Sequence, residues 1–75
     1  MSSNELLYEV KDGIAFITIN RPERRNALSN AVRKGFFDIW HRFEADETAQ
    51  VAILSGAGEN FCAGMDLVEA ADTQL

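Results

Sequence analysis

Residues Val51 to Leu54 form the continuous apolar run VAIL, which follows the polar residues 46–50 and precedes a glycine-containing stretch, 55–60. A short run without a polar residue is typical of a parallel strand that is buried on both faces. Such a strand needs neighbouring strands, and helices that cover both faces of the sheet. The run therefore predicts an α/β fold whose other elements must come from the rest of the sequence.

The sequence before this run predicts a β-hairpin. Apolar side chains alternate with mostly polar ones over residues 6–11, which predicts a half-buried strand. Residues 14–19, IAFITI, are almost entirely apolar and predict a second strand that is covered on both faces. Between them, Lys11, Asp12 and Gly13 predict a three-residue turn in which the glycine takes the left-handed conformation.

A helix is predicted between the hairpin and the apolar run. Ser29 or Asn30 can cap its N-terminus, and the helical pattern continues to about Ala45. Apolar residues at helical spacing form one stripe along it, made of Val32, Phe36, Ile39 and Phe43. A further helix is predicted over residues 67–73, with Asp66 as its cap.

These elements are too few to cover the sheet that they form. A single long helix cannot cover a hairpin and a parallel strand on both faces, and a buried parallel strand needs both faces covered. We therefore expect residues 1–75 to be the N-terminal part of a single larger α/β domain that continues beyond Leu75.

The composition excludes several classes of protein. Of the 75 residues, 47% are hydrophobic and 25% are charged, as in folded rather than disordered proteins. The net charge of −5 argues against a nucleic-acid-binding surface, which would be basic. No apolar run approaches the roughly 18 residues of a membrane span, and the acidic N-terminus is unlike a secretory or transit signal. We expect a cytoplasmic protein that binds neither nucleic acid nor membrane.

The single cysteine and single histidine restrict the chemistry further. They predict neither an internal disulfide nor a zinc site of the usual kind, so no metal is expected. A nucleophilic Cys62 would need an adjacent base, and His41 is predicted to lie on the solvent face of the helix. Cys62 is therefore interpreted as a small buried residue.

Two segments are candidate anion or nucleotide sites. The glycines of residues 56–60 suggest a dinucleotide-binding loop, but Phe61 stands where the fingerprint requires its third glycine. Arg21, Arg24 and Arg25 form a basic group in an acidic chain. That group is either a solvated loop or a site for an anion such as phosphate.

Residues 61–67 are the most informative stretch. A small residue and a glycine before a helix start allow a ligand to approach backbone N–H groups that could stabilise an oxyanion. The alternative is a plain strand-to-helix turn. Asp66 is either the cap of that helix or a general acid, and the cap is favoured because an acid would need a raised pKa.

Three segments together resemble one enzyme family. Residues 20–29, NRPERRNALS, resemble the N-R-P-x-x-x-N-A-L-[NS] signature of the enoyl-CoA hydratase/isomerase (crotonase) superfamily. Residues 58–67, GENFCAGMDL, resemble its G-x-x-F-[CSA]-A-G-x-D-[LI] signature, and residues 51–56 resemble the strand before it. The order and spacing of the segments match, so the resemblance covers nearly the whole chain.

The resemblance implies a fold and a set of site residues. The fold is a spiral of ββα units, and this chain matches its first turn. Family members bind acyl-CoA thioesters and stabilise an enolate oxygen with two backbone N–H groups, the first of which maps to Met65. The other positions that map to the CoA site are Arg24 and Arg25 at the entrance, Ala63 near the adenine, and Gly64, Asp66 and Leu67.

The resemblance also implies an activity. We expect the addition of water to a 2-enoyl-CoA thioester in fatty acid metabolism, with double-bond isomerisation as the alternative. The second oxyanion donor and the catalytic acids are expected beyond Leu75. Coenzyme A belongs to the substrate, so no separate cofactor is expected, and the full-length enzyme is expected to be a homo-oligomer, a trimer or hexamer. A hypothesis from another class is a non-catalytic remnant that binds CoA weakly or only packs against a partner.

Overall fold

A computed structural model of the chain describes residues 5–67. Two antiparallel strands, β1 (Leu6–Lys11) and β2 (Ile14–Ile19), are followed by a short 3₁₀ helix (Pro22–Arg24) and a long helix, α1 (Asn30–Ala45). The chain then forms a third strand, β3 (Val51–Gly56), which pairs with β2 in parallel. The sheet order β1-β2-β3 confirms the predicted α/β arrangement.

The hairpin turn is one residue shorter than predicted. Lys11 lies in β1 and pairs with Ile14, so only Asp12 and Gly13 remain in the turn. Both residues have positive φ, +55° for Asp12 and +80° for Gly13. Two-residue hairpin turns favour this conformation because its twist matches the right-handed twist of the strands, and Asp-Gly is a preferred sequence for it.

Helix α1 begins and ends where the sequence predicts. The Ser29 hydroxyl accepts a hydrogen bond from the backbone N–H of Val32 at 3.1 Å, as expected for an N-cap. Val32 and Ile39 are buried. The predicted final helix over residues 67–73 lies outside the described residues, apart from Leu67.

One face of the sheet packs against α1. A Cβ atom at Gly35 of the helix would lie 3.2 Å from Leu6 Cδ2, so the helix approaches β1 closely at this glycine. At the other end of the helix, Tyr8 donates a hydrogen bond of 2.9 Å to Asp46, and Arg42 lies 4.2 Å above the Tyr8 ring. Residues of β2 on this same face form much of the core: Ala15, Ile17 and Ile19 are all at most 1% exposed.

The Asp46 carboxylate also closes the turn that follows α1. Its Oδ1 accepts hydrogen bonds from the hydroxyl and the backbone N–H of Thr48, and its Oδ2 accepts the bond from Tyr8. These donors favour the ionised form, and they lower the pKa of Asp46. The end of the helix is thereby tied to both β1 and the chain that leads into β3.

The prediction that β2 and β3 are buried on both faces is wrong for the residues that the structure describes. In β2, only alternate side chains are fully buried, and in β3 Val51, Ile53 and Leu54 are 54%, 46% and 37% exposed. The physical reason is that α1 covers one face only and packs against β1 rather than β3, so Leu54 is exposed although it lies on the same face as the buried Ile17. Within residues 5–67, β3 is also an edge strand with no partner on its outer side.

No helix among these residues has the length and apolarity that a membrane crossing requires.

The uncovered face predicts that the 75-residue chain will self-associate when it is prepared by itself. Exposed apolar strands at a sheet edge promote edge-to-edge pairing and aggregation. Ile53→Lys places a charge on this face and should shift the chain towards monomer in sedimentation velocity experiments. Gln50→Lys adds the same charge in an exposed turn and should leave the association unchanged. A wild-type chain that sediments as a monomer and melts in one sharp calorimetric transition would contradict this prediction.

Candidate functional site

Two loops meet at the carboxyl ends of the parallel strands. The arginine loop, residues 20–29, follows β2, and the glycine loop, residues 57–66, follows β3. Because β2 and β3 are parallel, both loops leave the same edge of the sheet, where ligands commonly bind in α/β folds. The first residue of the glycine loop, Ala57, donates its N–H to the carbonyl of Ile19 at 2.8 Å.

Asn26 joins the two loops through its side chain. It is fully buried and has a φ of +58°, a conformation that asparagine tolerates better than most residues. Its Oδ1 accepts a hydrogen bond of 2.8 Å from the backbone N–H of Arg21. Its Nδ2 donates to the carbonyl oxygens of Ala57, at 2.9 Å, and Asn60. One amide therefore satisfies groups from both loops, a role that no local sequence pattern predicted.

The space around Asn26 admits no side chain at Gly56. A Cβ atom there would lie 2.2 Å from the carbonyl oxygen of Phe61 and 2.6 Å from Asn26 Nδ2. Atoms cannot approach so closely, so the glycine at the end of β3 is required by the turn. It allows the glycine loop to fold back over the arginine loop.

Arg21 does not form one basic cluster with Arg24 and Arg25. It is only 7% exposed, whereas the other two arginines are exposed. Its Nη1 donates to the carbonyl of Ala27 at 2.8 Å and to Asp66 Oδ2 at 3.1 Å. The positive charge that this loop offers to an anion is therefore that of Arg24 and Arg25 alone.

A short parallel bridge forms hydrogen bonds to the backbone on both sides of Met65. The N–H of Leu28 donates to the carbonyl of Gly64 at 2.6 Å, and the N–H of Asp66 donates to the carbonyl of Leu28 at 3.2 Å. In such a bridge, the N–H of the central residue points away from the partner strand. The Met65 N–H has no acceptor within residues 5–67, and Met65 is 50% exposed.

The residues predicted for the site fall into two groups. Six lie on or near the surface: Arg24, Arg25, Ala63 and Leu67 are exposed, Met65 is half-exposed, and Gly64 is partly buried with a φ of +98°. Asp66 is buried instead, and its carboxylate accepts a hydrogen bond from Arg21. The structure thus brings a free backbone donor and a glycine together on one surface, and it directs the neighbouring carboxylate inwards.

Cys62 and His41, the other candidates from the sequence, do not form a catalytic pair. Cys62 is partly buried, and its sulfur accepts a weak hydrogen bond from the N–H of Gly64 at 3.4 Å. His41 is exposed on α1, as predicted, and packs edge-on against Phe37. Across residues 5–67, no hydrogen bond joins Cys62 to His41, and no three acidic, histidine or cysteine side chains are grouped so as to hold a metal ion.

Comparison with known proteins gives a consistent result. A sequence model described as enoyl-CoA hydratase/isomerase matches residues 9–75. The hydroxycinnamoyl-CoA hydratase-lyase of Pseudomonas fluorescens is 49% identical over 61 residues, which are 81% of this chain and 22% of that protein. A probable enoyl-CoA hydratase of Rhodobacter capsulatus is 39% identical over 71 residues, 95% of this chain and 27% of that protein.

The fold agrees with solved structures as well. The crystal structure of an enoyl-CoA hydratase from Mycobacterium tuberculosis H37Rv has a TM-score of 0.86 and 46% identity to this chain. The match covers 91% of this chain and 31% of that structure. The chain thus spans about a quarter of the length of the curated relatives that it matches.

The Asn26 contacts predict a specific loss of stability. Asn26→Ala leaves two carbonyl oxygens and one N–H without their partners. An unsatisfied buried polar group costs about 1–3 kcal/mol, so we expect a loss of at least about 3 kcal/mol in the free energy of unfolding. The measurement is urea denaturation of the polypeptide that carries this sequence, at its native length.

Asn60→Ala is the matched control for this change. It removes an exposed asparagine side chain but retains the carbonyl that accepts from Asn26. Its effect should stay within about 0.5 kcal/mol, as for ordinary surface substitutions. Equal denaturation midpoints for the two variants would show that the Asn26 contacts do not hold the loops together.

Proposed function

The chain belongs to the enoyl-CoA hydratase/isomerase family, and from that premise we propose that it forms part of an acyl-CoA site that catalyses the hydration of 2-enoyl-CoA thioesters. The observation that carries the proposal is the outward-facing Met65 N–H, which has no acceptor within residues 5–67. A preorganised backbone donor of this kind stabilises negative charge as it develops on an oxygen atom.

The proposed step creates such a charge. Water adds its oxygen to C3 of the enoyl group and gives one proton to a base, the π electrons move towards the thioester, and the thioester carbonyl oxygen becomes an enolate oxyanion. The Met65 N–H donates to that oxygen, and a proton delivered to C2 completes the 3-hydroxyacyl product. The groups that activate the water and deliver the proton are proposed to lie outside residues 5–67, together with a second donor.

Gly64 suits this role because it lacks a side chain at the point of approach. Among residues 5–67, a Cβ atom there would meet nothing within 4 Å, so these residues leave the surface beside the Met65 N–H open. The φ of +98° is also a conformation that other residues rarely adopt. In the proposed complex, the thioester lies against this open backbone.

Arg24 and Arg25 are proposed to bind the phosphates of coenzyme A. Both side chains are exposed, and guanidinium groups form charge-assisted hydrogen bonds with phosphate oxygens. Ala63 and Leu67 are exposed beside Met65 in the sequence and are proposed to line the adenine end of the same site. Asp66 is proposed to support the site from within, since its carboxylate is directed towards Arg21.

Hydration is preferred to isomerisation on the basis of the relatives. Both reactions pass through a thioester enolate, so the Met65 donor serves either. Two similar proteins are named as hydratases, and this supports the hydration of an enoyl thioester here. The native-length polypeptide should convert a 2-enoyl-CoA to the 3-hydroxyacyl-CoA. Conversion of a 3-enoyl-CoA to the 2-enoyl isomer alone would instead support the isomerase, and no turnover of either would favour a non-catalytic protein.

We propose the cofactor requirement, the cellular location and the oligomeric state from the same family membership. Coenzyme A enters as part of the substrate, with no separate cofactor. The native-length enzyme is proposed to be a cytoplasmic homo-oligomer, a trimer or hexamer, and its oligomeric state is measurable by sedimentation equilibrium.

The two exposed arginines predict a salt-dependent loss of CoA affinity. We expect Arg24→Ala/Arg25→Ala to weaken CoA binding about 2- to 30-fold, since exposed charge pairs contribute about 0.2–1 kcal/mol each. The loss should be larger near 0.01 M salt, where the Debye length is about 30 Å, than near 0.1 M, where it is about 10 Å. Calorimetric titration with CoA measures both values.

The control variant makes the same change in net charge on α1 instead of on the arginine loop. Arg33→Ala/Lys34→Ala removes two exposed positive charges from α1. Its affinity for CoA should remain close to that of the wild type. If the two double variants weaken binding equally, the effect belongs to net charge and not to phosphate contacts at the arginine loop.

The proposed role of Met65 belongs to its backbone, so its side chain should be replaceable. Met65→Ala keeps the N–H and should retain most of kcat, whereas Met65→Pro removes the N–H. Loss of one oxyanion donor costs about 2.7–4 kcal/mol, or about 10²–10³ in kcat. Steady-state kinetics with a 2-enoyl-CoA measure this difference.

The proline also restrains the loop, so a second change isolates the donor. Incorporation of the α-hydroxy analogue of methionine at position 65 replaces the N–H by an ester oxygen and introduces no ring. Circular dichroism and CoA affinity verify that each protein folds and binds. A folded proline or ester variant with the wild-type kcat would exclude the proposed donor, and an inactive but folded Met65→Ala would assign the role to the thioether.

A further inference from the structure

One nitrogen atom of Arg21 forms hydrogen bonds to both of the segments that meet at the Leu28–Met65 bridge. Arg21 Nη1 donates to the carbonyl of Ala27, the residue before Leu28, and to the carboxylate of Asp66, the residue after Met65. The two bonds measure 2.8 Å and 3.1 Å. One guanidinium therefore links the two backbone segments that meet at Met65.

The bridge itself is too small to set its own geometry. It is an isolated pair outside the sheet and contains only two backbone hydrogen bonds, one of which is 3.2 Å long. A strand in a sheet is aligned by a row of such bonds, but here no row is present within residues 5–67. The direction of the Met65 N–H must therefore depend on contacts beside the bridge.

Burial and two ion pairs restrain the Arg21 side chain. Its side chain is 9% exposed and that of Asp66 is 7% exposed, so the ion pair is shielded from water. Its Nε lies 3.6 Å from Glu5 Oε1, which is an ion pair beyond hydrogen-bond distance, and the same oxygen accepts a hydrogen bond from the Ser29 hydroxyl at 3.0 Å. Ser29 caps α1, so the support for Arg21 extends to the helix.

We propose that Arg21, with Asp66 as its partner, is a positioning residue that sets the direction of the Met65 N–H without touching the substrate. This proposal rests on the proposed function for its kinetic consequence. Misplacement of a reacting group by about 1 Å can cost about 100-fold in rate. A guanidinium that holds both sides of the donor residue prevents such a shift.

The alternative is that the ion pair serves only stability, and a double substitution separates the two roles. Removal of one partner leaves a buried charge and destabilises the fold, but replacement of both partners by apolar residues is often neutral for stability. Arg21→Met/Asp66→Leu leaves no unpaired charge, but the Ala27 carbonyl loses its donor, so we expect a modest fall in the unfolding temperature, with the fold and CoA binding retained. Its kcat should nevertheless fall by about 10- to 100-fold, with KM changed less than about twofold.

Two single variants keep the test valid if the double variant does not fold. Asp66→Asn retains an oxygen acceptor for Arg21, and Arg21→Lys retains the charge with a shorter reach, so each should lose less of kcat. Val32→Ala controls for destabilisation alone, because Val32 is fully buried and its side chain takes no part in the hydrogen bonds of the bridge. It should lower the unfolding temperature while kcat is retained.

A readout that does not require turnover tests the position of the donor directly. The native-length protein is labelled with ¹⁵N-methionine, and the Met65 amide signal is identified by its absence in Met65→Leu. In the unligated wild type it should be a single sharp signal, and it should shift when an unreactive acyl-CoA thioether is added. In Arg21→Met/Asp66→Leu it should be broadened or doubled, with a smaller response to the ligand.

Each outcome decides one of the two proposals. A stable double variant with the wild-type kcat and an unchanged Met65 signal would overturn the positioning role. A wild type that neither turns over enoyl-CoA nor shifts its Met65 signal would overturn the proposed function instead. Even then, the unligated Met65 signal of the double variant decides whether Arg21 positions this backbone.

Discussion

The site depends on one buried amide that connects loops from distant parts of the sequence. Asn26 bonds to the backbone N–H of Arg21 within its own loop and to the carbonyls of Ala57 and Asn60 in the other. Each of these backbone groups would be costly to bury without a partner. The amide of Asn26 provides both the acceptor and the donors in one rigid group, so the two loops can pack at a fixed separation. The positions of Arg21 and Met65 follow from that packing.

The parallel pairing of β2 and β3 is what allows this contact. Because the strands run in the same direction, Ile19 and Gly56 end at the same edge of the sheet, and the loops start side by side. Gly56 then permits the sharp return that places the carbonyl of Phe61 over the strand end. The hairpin and α1 serve the site indirectly, since they fix β2 on its other side and place the cap of the helix beside Arg21.

The elements governed by local rules were predictable from the sequence. Alternation over residues 6–11 predicts β1, and the capping preference of Ser29 predicts the start of α1. The burial of β3 was not predictable in the same way, since it depends on what packs against the strand and not on the strand itself. The contacts of Asn26 were missed for a related reason: its partners lie 31 and 34 residues away, and no local signal identifies them.

The resemblance to a family pointed to Met65 as a candidate donor but gave no sign of the ion pair between Arg21 and the neighbouring Asp66. Arg21, Arg24 and Arg25 are equivalent as a sequence pattern, since all three are charged residues in a loop beside a proline. The structure separates them by burial: Arg21 is paired inside with Asp66, and the other two remain in solvent. Periodicity could not make this distinction, because the arginine loop contains only one short 3₁₀ turn and no longer element that would alternate between an inner and an outer face.

This separation has an electrostatic consequence for an anionic ligand. The charge of Arg21 is balanced by Asp66, and the exposed Glu23 offsets part of the charge on Arg24 and Arg25. The net charge of the chain is −5, so long-range attraction of a phosphate would be weak, and salt screens it within about 8 Å at physiological ionic strength. The phosphate contact proposed for this loop would therefore depend mainly on short-range, charge-assisted hydrogen bonds of the two guanidinium groups, which salt weakens but does not abolish. Their planar donors suit phosphate oxygens, and this favours a defined contact over general electrostatic attraction.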